Sequence, residues 1–557
     1  MAAPPTEDCG WLLYLSLAAK CGDPSRLLGL AAVFVGACVV TSLLHWACPG
    51  GPAWGRYWWT RRGGLGIVRA AIPGPRGLPV VGSMGLMTGL AHRKLAAAAA
   101  AAGGQGSSRR RRLMALSLGE TRAVVTGDPD VARELLGSAA FADRPVKESA
   151  YGLLFHRAIG FAPHGAYWRA LRRVASAHLF SPRQVAASSA QRAVIARQMV
   201  DAVTTAAPAP APAVVVARRF LKRASLHNVM WSVFGRRYDL LLLAADGEEL
   251  KALVDEGYDL LGQLNWSDHL PWLARFDLQR TRARCSALVP RVNRFVGNII
   301  DEHRARLGLG DTGGVTDFTD VLLSLQGVDK LSDADMVAVL WEMIFRGTDT
   351  VAVLMEWVLA RLVLHQDVQS KVQEELDRVV GPPGQAASVT ESDTASLVYL
   401  QAVIKEVLRL HPPGPLLSWA RLATSDARVG GYHVPAGTTA MVNMWAITHD
   451  PSVWAEPTEF RPERFVGASA GAGAGAGAED VPMIMGSDLR LAPFGSGRRS
   501  CPGKSLALAT VGFWVATLLH EFKWLPPCRG VDLSEVLRLS CEMAAPLEAR
   551  VVPRHAV

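Results

Sequence analysis

The chain has 557 residues, of which 50% are hydrophobic and 20% are charged, so a large packed core is available and general disorder is excluded. The formal net charge of +9 is compatible with nucleic acid, anionic lipid or an acidic protein partner. The sequence carries no zinc-finger or RNA-binding signature, so no nucleic-acid partner is expected. Its eight cysteines form no CxxC pair, which indicates a reducing compartment.

The first predicted element is an uncharged apolar run from Leu27 to Cys48. Its length suits a transmembrane helix, with a buried core helix or a cleaved signal peptide as alternatives. The late start and the length of the run disfavour a signal peptide. Arginines without acidic residues follow it, so the positive-inside rule places the remainder in the cytosol. We predict a lumenal N-terminus over residues 1–26, an anchor over 27–48, a basic, proline-rich hinge over 49–80 and a cytosolic domain over 81–557.

Beyond the hinge, the patterns are mostly helical. Ser332 begins a capping-box pattern that predicts a long helix reaching about Leu364. Further helices are predicted over 367–380 and 396–410, and short strands over 432–434 and 438–443. The predicted fold class is therefore α-rich α+β. Low-complexity tracts at 96–104, 206–213 and 471–478 are predicted to be surface loops or local extensions of helices.

Three groups of polar residues interrupt these patterns in chain order. Trp168 and Arg172 lie one helical turn apart. In the long helix, residues 346–350 have the sequence RGTDT. Relative to alanine, a glycine in a helix interior costs about 1 kcal/mol of helix stability, and it allows a local opening of the helix. Glu406 and Arg409 share a predicted helical face, which alone indicates an ordinary salt bridge.

The most informative segment is the loop 494–503, with the sequence FGSGRRSCPG, which precedes an apolar helix predicted over 506–519. Its arginines and the backbone amides near the helix start favour a Cys501 thiolate. Its glycines allow the backbone to approach a flat cofactor closely. A Gly/Arg loop is a poor place to bury an inert cysteine. A phosphate-binding loop is rejected because five residues separate Gly497 from Gly503 where that loop needs four.

The loop matches the pattern FxxGxRxCxG at every fixed position, and the chain resembles the cytochrome P-450 family over roughly residues 70–557. The resemblance implies a helical bundle with small β-sheets around haem b, and Cys501 as the axial ligand of its iron. It implies that Phe494 packs beside the thiolate and that Arg499 pairs with a haem propionate. The remaining cofactor contacts that it implies are from Trp168, Arg172 and Arg421.

The same resemblance gives roles to the other polar groups. Glu406, Arg409 and Arg464 are expected to form a buried charge network, in which the loss of one partner leaves an uncompensated charge. Asp349 and Thr350 are expected to deliver protons during oxygen activation. Arg346 departs from the alanine or glycine of the family pattern. It either points away from the haem or meets a polar end of the substrate.

The implied activity is hydroxylation of a small lipophilic molecule with O2, at the endoplasmic reticulum membrane. No dinucleotide fingerprint follows a strand, so the electrons are expected from NADPH through a separate NADPH–cytochrome reductase, docked on a basic face that includes Arg498 and Lys504. Pocket-lining segments are predicted at 151–162, 413–418 and 539–545. Segments 141–145, 158–167 and 345–350 resemble the plant microsomal group that includes the KLUH and PLASTOCHRON proteins, which implies a role in organ growth and seed size.

Two alternatives stay open at this point. One is a haem-thiolate isomerase or dehydratase that works without a reductase, and the other is a non-catalytic haem-binding membrane protein. Retention of Asp349 and Thr350 speaks against both. The substrate is left open, with a fatty acid as one proposal.

Overall fold

The computed structural model describes residues 24–46, 48–62, 71–102, 112–207, 213–237, 245–309, 317–384, 388–417, 420–466 and 488–554. The tract 471–478 lies outside these ranges, as does almost all of the predicted lumenal segment. The helices are α1 Pro24–Trp46, α2 Pro52–Arg62, α3 Ala91–Ala102, α4 Pro129–Gly137, α5 Glu148–Gly152, α6 Ala166–His178, α7 Pro182–Ala187, α8 Ser189–Ala206, α9 Ala217–Phe234, α10 Ala245–Gly262, α11 Thr281–Gly308, α12 Phe318–Ser324, α13 Asp333–Leu364, α14 Gln366–Val379, α15 Val398–Leu410, α16 Met444–Thr448 and α17 Lys504–Glu521.

The described strands form small sheets of two to four strands. Their bounds are β1 Met114–Leu118, β2 Thr121–Thr126, β3 Ala213–Val216, β4 Arg421–Leu422, β5 Ala427–Val429, β6 Tyr432–Val434, β7 Thr439–Val442, β8 Phe522–Leu525, β9 Glu535–Leu537, β10 Cys541–Met543 and β11 Glu548–Pro553. The largest sheet has the order β1-β2-β7-β4, with β2 and β7 parallel and its other pairs antiparallel. A second sheet has the order β3-β11-β8, and β9–β10 and β5–β6 are hairpins. The α-rich α+β class is therefore confirmed.

Helix α13 is the central element of the fold. It begins as predicted, because the Ser332 hydroxyl accepts a hydrogen bond from the Asp335 amide. Its first half, up to Phe345, packs in one hydrophobic cluster with α9, α10 and α11. Its second half, from Ala352, packs in another with α8, α15 and α17. The polar segment 346–350 consequently lies between two cores.

The segment predicted as an anchor forms helix α1, and its described apolar side chains between Leu28 and Leu43 are exposed, including Leu28 at 76% and Val33 at 70%. Within the described part of the chain, no helix reaches the length and apolarity needed to cross a membrane. The transmembrane prediction is thus not confirmed. The following helix, α2, packs on the large sheet, where the Trp54 indole donates to the Leu116 carbonyl at 3.0 Å. The proline-rich stretch is docked there too, since the Ala115 amide donates to the Pro73 carbonyl at 2.8 Å.

Candidate functional site

A cavity of ≈ 310 Å³ lies between α13 and the loop that precedes α17. All three predicted pocket segments reach it, through Gly160, Leu416 and Leu539 among others. Cys501 and Thr350 both lie on its wall. The structure therefore brings the predicted metal ligand and one predicted proton donor to the same space.

The loop holds Cys501 through its backbone. The Cys501 amide donates to the Phe494 carbonyl at 2.9 Å, and both side chains line the cavity. Gly497 has a φ of +69°, and an added Cβ there would lie 2.1 Å from the Leu136 carbonyl oxygen. Only glycine satisfies both conditions. Gly497 thus lets the loop pack closely against α4.

The ionisation of Cys501 differs from the sequence-based expectation. Burial raises the pKa of the thiol, and a backbone hydrogen bond at Gly503 and the charges of Arg346 and Arg172 oppose this rise without cancelling it. The sequence revealed the neighbouring charges but not the degree of burial. Bound to a metal cation, a thiol is deprotonated outright, so this position suits a metal ligand better than a free thiolate.

Guanidinium groups dominate the polar part of the cavity wall. The lining arginines are Arg144, Arg172, Arg346, Arg421 and Arg499. Burial, with the charges of Arg499 and Arg172, lowers the pKa of Arg421 to about 9. Burial also lowers the pKa of Arg499 to about 10. Cations held together in this way are electrostatically unfavourable by themselves and favour an anionic guest.

Two of the predicted cofactor contacts are held by backbone carbonyls. Arg499 donates to the carbonyls of Ala142 at 3.0 Å and Ala162 at 2.7 Å. Arg172 donates to the Ser500 carbonyl, next to Cys501, at 2.9 Å. Arg421, on β4, has a longer contact of 3.4 Å with the Ser496 carbonyl. These carbonyls leave part of each guanidinium available to the cavity.

Trp168 occupies a different place from the one predicted. Its indole N–H donates to the Ile159 carbonyl at 2.9 Å, and its side chain is not among those lining the cavity. Its ring instead lies beneath the guanidinium of Arg499, 4.3 Å from the ring centroid, with Arg172 at 5.7 Å. Trp168 therefore supports two arginines of the wall by cation–π contact, and its own donor is already used.

Sequence reasoning missed two members of this wall. Arg144 donates to the Gly160 and Ala420 carbonyls at 3.2 and 3.1 Å, and burial with neighbouring arginines lowers its pKa well below the usual value. Glu342 is buried, accepts from the Gly160 amide at 2.8 Å, and lies 3.1 Å from Arg346 one turn later. The i,i+4 spacing of Glu342 and Arg346 was the available signal.

The predicted charge network forms as a buried cluster. Arg409 makes a bidentate pair with Glu406 at 2.8 and 2.9 Å. Arg464 reaches the same carboxylate at 3.2 Å. Both Glu406 and Arg409 are 0% exposed. Arg409 also donates to the backbone carbonyls of Thr448, at the end of α16, and of Pro457 and Glu459 in the segment that follows. The cluster fastens α15 to that segment.

Segment 346–350 stays helical, contrary to the opening predicted at Gly347. An added Cβ on Gly347 would lie 2.5 Å from Val229 of α9, so close helix packing is the structural reason for this glycine. Asp349 is buried and pairs with Lys222 at 2.9 Å. Although burial opposes it, the charges of Asp349 and Glu542 raise the pKa of Lys222. Arg346 lines the cavity and pairs with Glu342 at 3.1 Å.

These residues fit the haem implied by the sequence. The thiol of Cys501 and the guanidinium groups of five arginines line the same cavity, and together they could hold a flat group with two carboxylates. Glu342 is the one carboxylate among the residues that line the cavity, against five arginines, and it pairs with Arg346 at 3.1 Å; a second carboxylate, Asp143, lies 3.5 Å from Arg499. The wall therefore has the charge needed to balance two propionates.

Comparison with known proteins agrees with this geometry. The family model described as Cytochrome P-450 matches residues 72–540. The chain is 58% identical to Cytochrome P-450 78A9 of Arabidopsis thaliana over 98% of both chains, and 58% identical to Cytochrome P-450 78A3 of Glycine max over 99% of both. It is 36% identical to the trimethyltridecatetraene synthase of Zea mays over 86% of this chain and 88% of that one. The chain belongs to the cytochrome P-450 family.

Proposed function

We propose that this P-450 monooxygenase hydroxylates a small lipophilic substrate bearing one polar end, with Cys501 as the iron ligand. The cofactor of the family is haem b, with electrons from a separate NADPH-dependent reductase; when bound, it supplies the electron-transfer and oxygen chemistry that side chains lack. The observation that carries the proposal is that Cys501 and Thr350 line one cavity whose edge is rich in arginine.

We assign the chain's own residues three tasks. Arg172, Arg421 and Arg499 bind the propionates. Thr350 presents its hydroxyl to the cavity, where protons are needed to reduce one oxygen atom of O2 to water. Asp349 supplies that proton and regains it from solvent through Lys222, whose side chain is 36% exposed. Because Asp349 itself is buried, Lys222 is its connection to water.

The cavity wall supports the substrate class. Away from the arginines it is mostly apolar, with Val229, Met343 and Leu354 as examples. The trimethyltridecatetraene synthase is named for a hydrocarbon product, which is consistent with apolar substrates in this part of the family. Arg346 also lines the cavity, and the five arginines outnumber the four negative charges of Glu342, Asp143 and two propionates. A fatty acid, with one carboxylate and an apolar chain, fits both features.

The test is turnover of dodecanoic acid by the full-length chain with a plant NADPH–cytochrome reductase under isotopically labelled O2. We expect NADPH-dependent product that carries one labelled oxygen atom, and none from Cys501→Ala. Conversion without NADPH would favour the isomerase or dehydratase, and a panel of lipophilic compounds left untouched would favour the non-catalytic alternative.

The reductase is proposed to dock on a basic surface beside the loop. Arg498 is exposed, and Lys504 begins α17; each lies three residues from Cys501. Complementary charge raises the association rate of such partners and makes it salt-dependent. Charge reversal at both positions should slow reduction and flatten its salt dependence. An unchanged rate would rule out this docking surface.

We also propose that residues 27–48 hold the protein at the endoplasmic reticulum membrane and that its product acts in organ growth and seed size. Exposed apolar side chains along α1 and the arginines after it support the first point. The second rests on the resemblance to the KLUH and PLASTOCHRON group. Removal of residues 1–48 should release the protein from microsomes. Cys501→Ala should fail to restore growth in a plant that lacks the enzyme; restored growth would mean that catalysis is not its role.

A further inference from the structure

Three side chains that can bind a metal ion lie between helix α3 and the β9–β10 hairpin. His92 is the second residue of α3, Glu535 begins β9 and Cys541 begins β10. A ring nitrogen of His92, a carboxylate oxygen of Glu535 and the sulfur of Cys541 all lie within 4.8 Å of one another. His92 is 0% exposed, Cys541 is 4% exposed and the side chain of Glu535 is 2% exposed. Nitrogen, oxygen and sulfur ligands of this kind are those that zinc takes in proteins.

The imidazole of His92 is the observation that points to a ligand. Within the described residues, neither of its ring nitrogens has a hydrogen-bond partner, although the ring is buried. Its Nε2 lies 3.6 Å from Oε2 of Glu535, which is too long for a hydrogen bond. The ring packs edge-on against Trp445, with the ring centroids 5.4 Å apart. A buried polar group without a partner is costly, and a metal ion bound at Nε2 would supply the missing partner.

The carboxylate of Glu535 is ionised and oriented by its neighbours. Arg361 donates to Nε2 of His411 at 3.0 Å, so the proton of this imidazole lies on Nδ1, which donates to Oε1 of Glu535 at 3.1 Å. Although burial opposes it, this hydrogen bond and the charge of Arg93 lower the pKa of Glu535. Outer hydrogen bonds of this kind orient the ligands of a metal ion.

Arg93 competes for the same carboxylate. Its guanidinium donates to Oε2 of Glu535 at 2.6 Å, but its side chain is 48% exposed and can turn towards solvent. The thiol of Cys541 is free of any disulfide, and it would lose its proton to water when a metal ion binds the sulfur.

Another histidine of the described chain shows the opposite case. His303 lies close to Asp317 and Asp320, a second group with potential metal ligands. Its Nδ1 contacts the Ile299 carbonyl at 2.7 Å and its Nε2 contacts the Asp317 carboxylate at 2.9 Å. Both nitrogens of His303 are therefore already used, whereas both nitrogens of His92 are available for a ligand.

We propose that His92, Glu535 and Cys541 bind one zinc ion, with water as the fourth ligand and Arg93 as a competing cation. Nitrogen and sulfur ligands favour zinc over magnesium or calcium, which bind through oxygen. The ion would join α3 to a hairpin whose turn reaches the cavity through Leu539. Zinc binding at this place is independent of the proposed monooxygenase function.

The test uses the full-length, haem-containing protein, mixed with zinc chloride and then desalted. Bound zinc is measured by plasma mass spectrometry, and its ligands by X-ray absorption at the zinc edge, which is separate from that of the haem iron. We expect one zinc per chain, with one sulfur ligand at about 2.3 Å. Cys541→Ser should lose the sulfur ligand and bind zinc at least about tenfold more weakly, since even the loss of an outer partner costs about ten- to a hundredfold. Cys528→Ser, the matched control at an exposed thiol, should match the wild type.

His92→Phe is the second variant, because it keeps an aromatic ring against Trp445 and removes both nitrogens. Since those nitrogens make no hydrogen bond with the described residues, the variant should keep its haem and its circular dichroism spectrum but lose the zinc. Arg93→Gln should bind zinc about two- to fivefold more tightly, as the loss of a half-exposed competing ion pair implies. A wild type that retains no zinc, zinc without a sulfur ligand, or unchanged zinc binding in Cys541→Ser or His92→Phe would overturn the proposal. Weaker binding in Arg93→Gln would overturn the role of Arg93 as a competitor.

Discussion

Replacing Glu406 with glutamine removes one buried negative charge and hardly changes the shape of the side chain. Its carboxylate accepts hydrogen bonds from Arg409 at 2.8 and 2.9 Å, from Arg464 at 3.2 Å and from the Arg461 amide at 2.9 Å. In the variant, two guanidinium groups lose their counter-charge in a site that water does not reach. Breaking a buried pair on one side costs about 3–5 kcal/mol. We expect Glu406→Gln to lower the free energy of unfolding by this amount.

The assay is urea unfolding of the full-length protein in detergent, followed by circular dichroism. Glu463→Gln is the matched control, because Glu463 pairs with Lys371 at 2.8 Å but both side chains are about half exposed. Exposed pairs contribute about 0–1 kcal/mol. A Glu406→Gln variant that unfolds within about 1 kcal/mol of the control would refute the view that this cluster locks the core.

Three further predictions concern the cavity. Arg499→Ala should lose haem to an acceptor protein about ten to a hundred times faster than wild type, because it removes charge-assisted hydrogen bonds; Arg498→Ala, one residue away and exposed, should not. Asp349→Asn should slow product formation roughly a hundredfold or more and divert electrons to peroxide. A variant that converts the same share of its NADPH electrons into product as the wild type would contradict the role of Asp349 as proton donor. Arg346→Gln should weaken the binding of dodecanoic acid about ten- to a hundredfold and leave that of dodecanol unchanged, as measured by spectral titration; equal losses for both would show that the carboxylate is not what Arg346 recognises.

Features that depend on residues close together in the chain could be predicted from the sequence. The loop around Cys501 is one continuous segment, so its glycines and arginines could be interpreted as one motif. The capping box at Ser332 and the network partners Glu406 and Arg409 were equally local. In each case, spacing along the chain already determines which groups meet.

The parts that sequence reasoning missed depend on segments far apart in the chain. Arg144 reaches the cavity wall from the segment before α5, and nothing near it in sequence marks it for that position. Helix propensity predicts a local opening at Gly347, whereas close packing against Val229 of α9 explains why a glycine stands there. The charges near Cys501 in the sequence predict a thiolate, but burial outweighs them and raises the pKa of the thiol. Each of these three features depends on tertiary packing between segments that are distant in the sequence.

The central claim is that Cys501 ligates a haem iron as a thiolate in this cavity. The most direct measurement is the absorption spectrum of the reduced, carbon monoxide-bound full-length protein, compared with that of Cys501→Ala. The account predicts, for the wild type, the red-shifted Soret band that gives the P-450 family its name, and its loss in the variant. A wild-type spectrum without that band, or an unaltered band in Cys501→Ala, would contradict it.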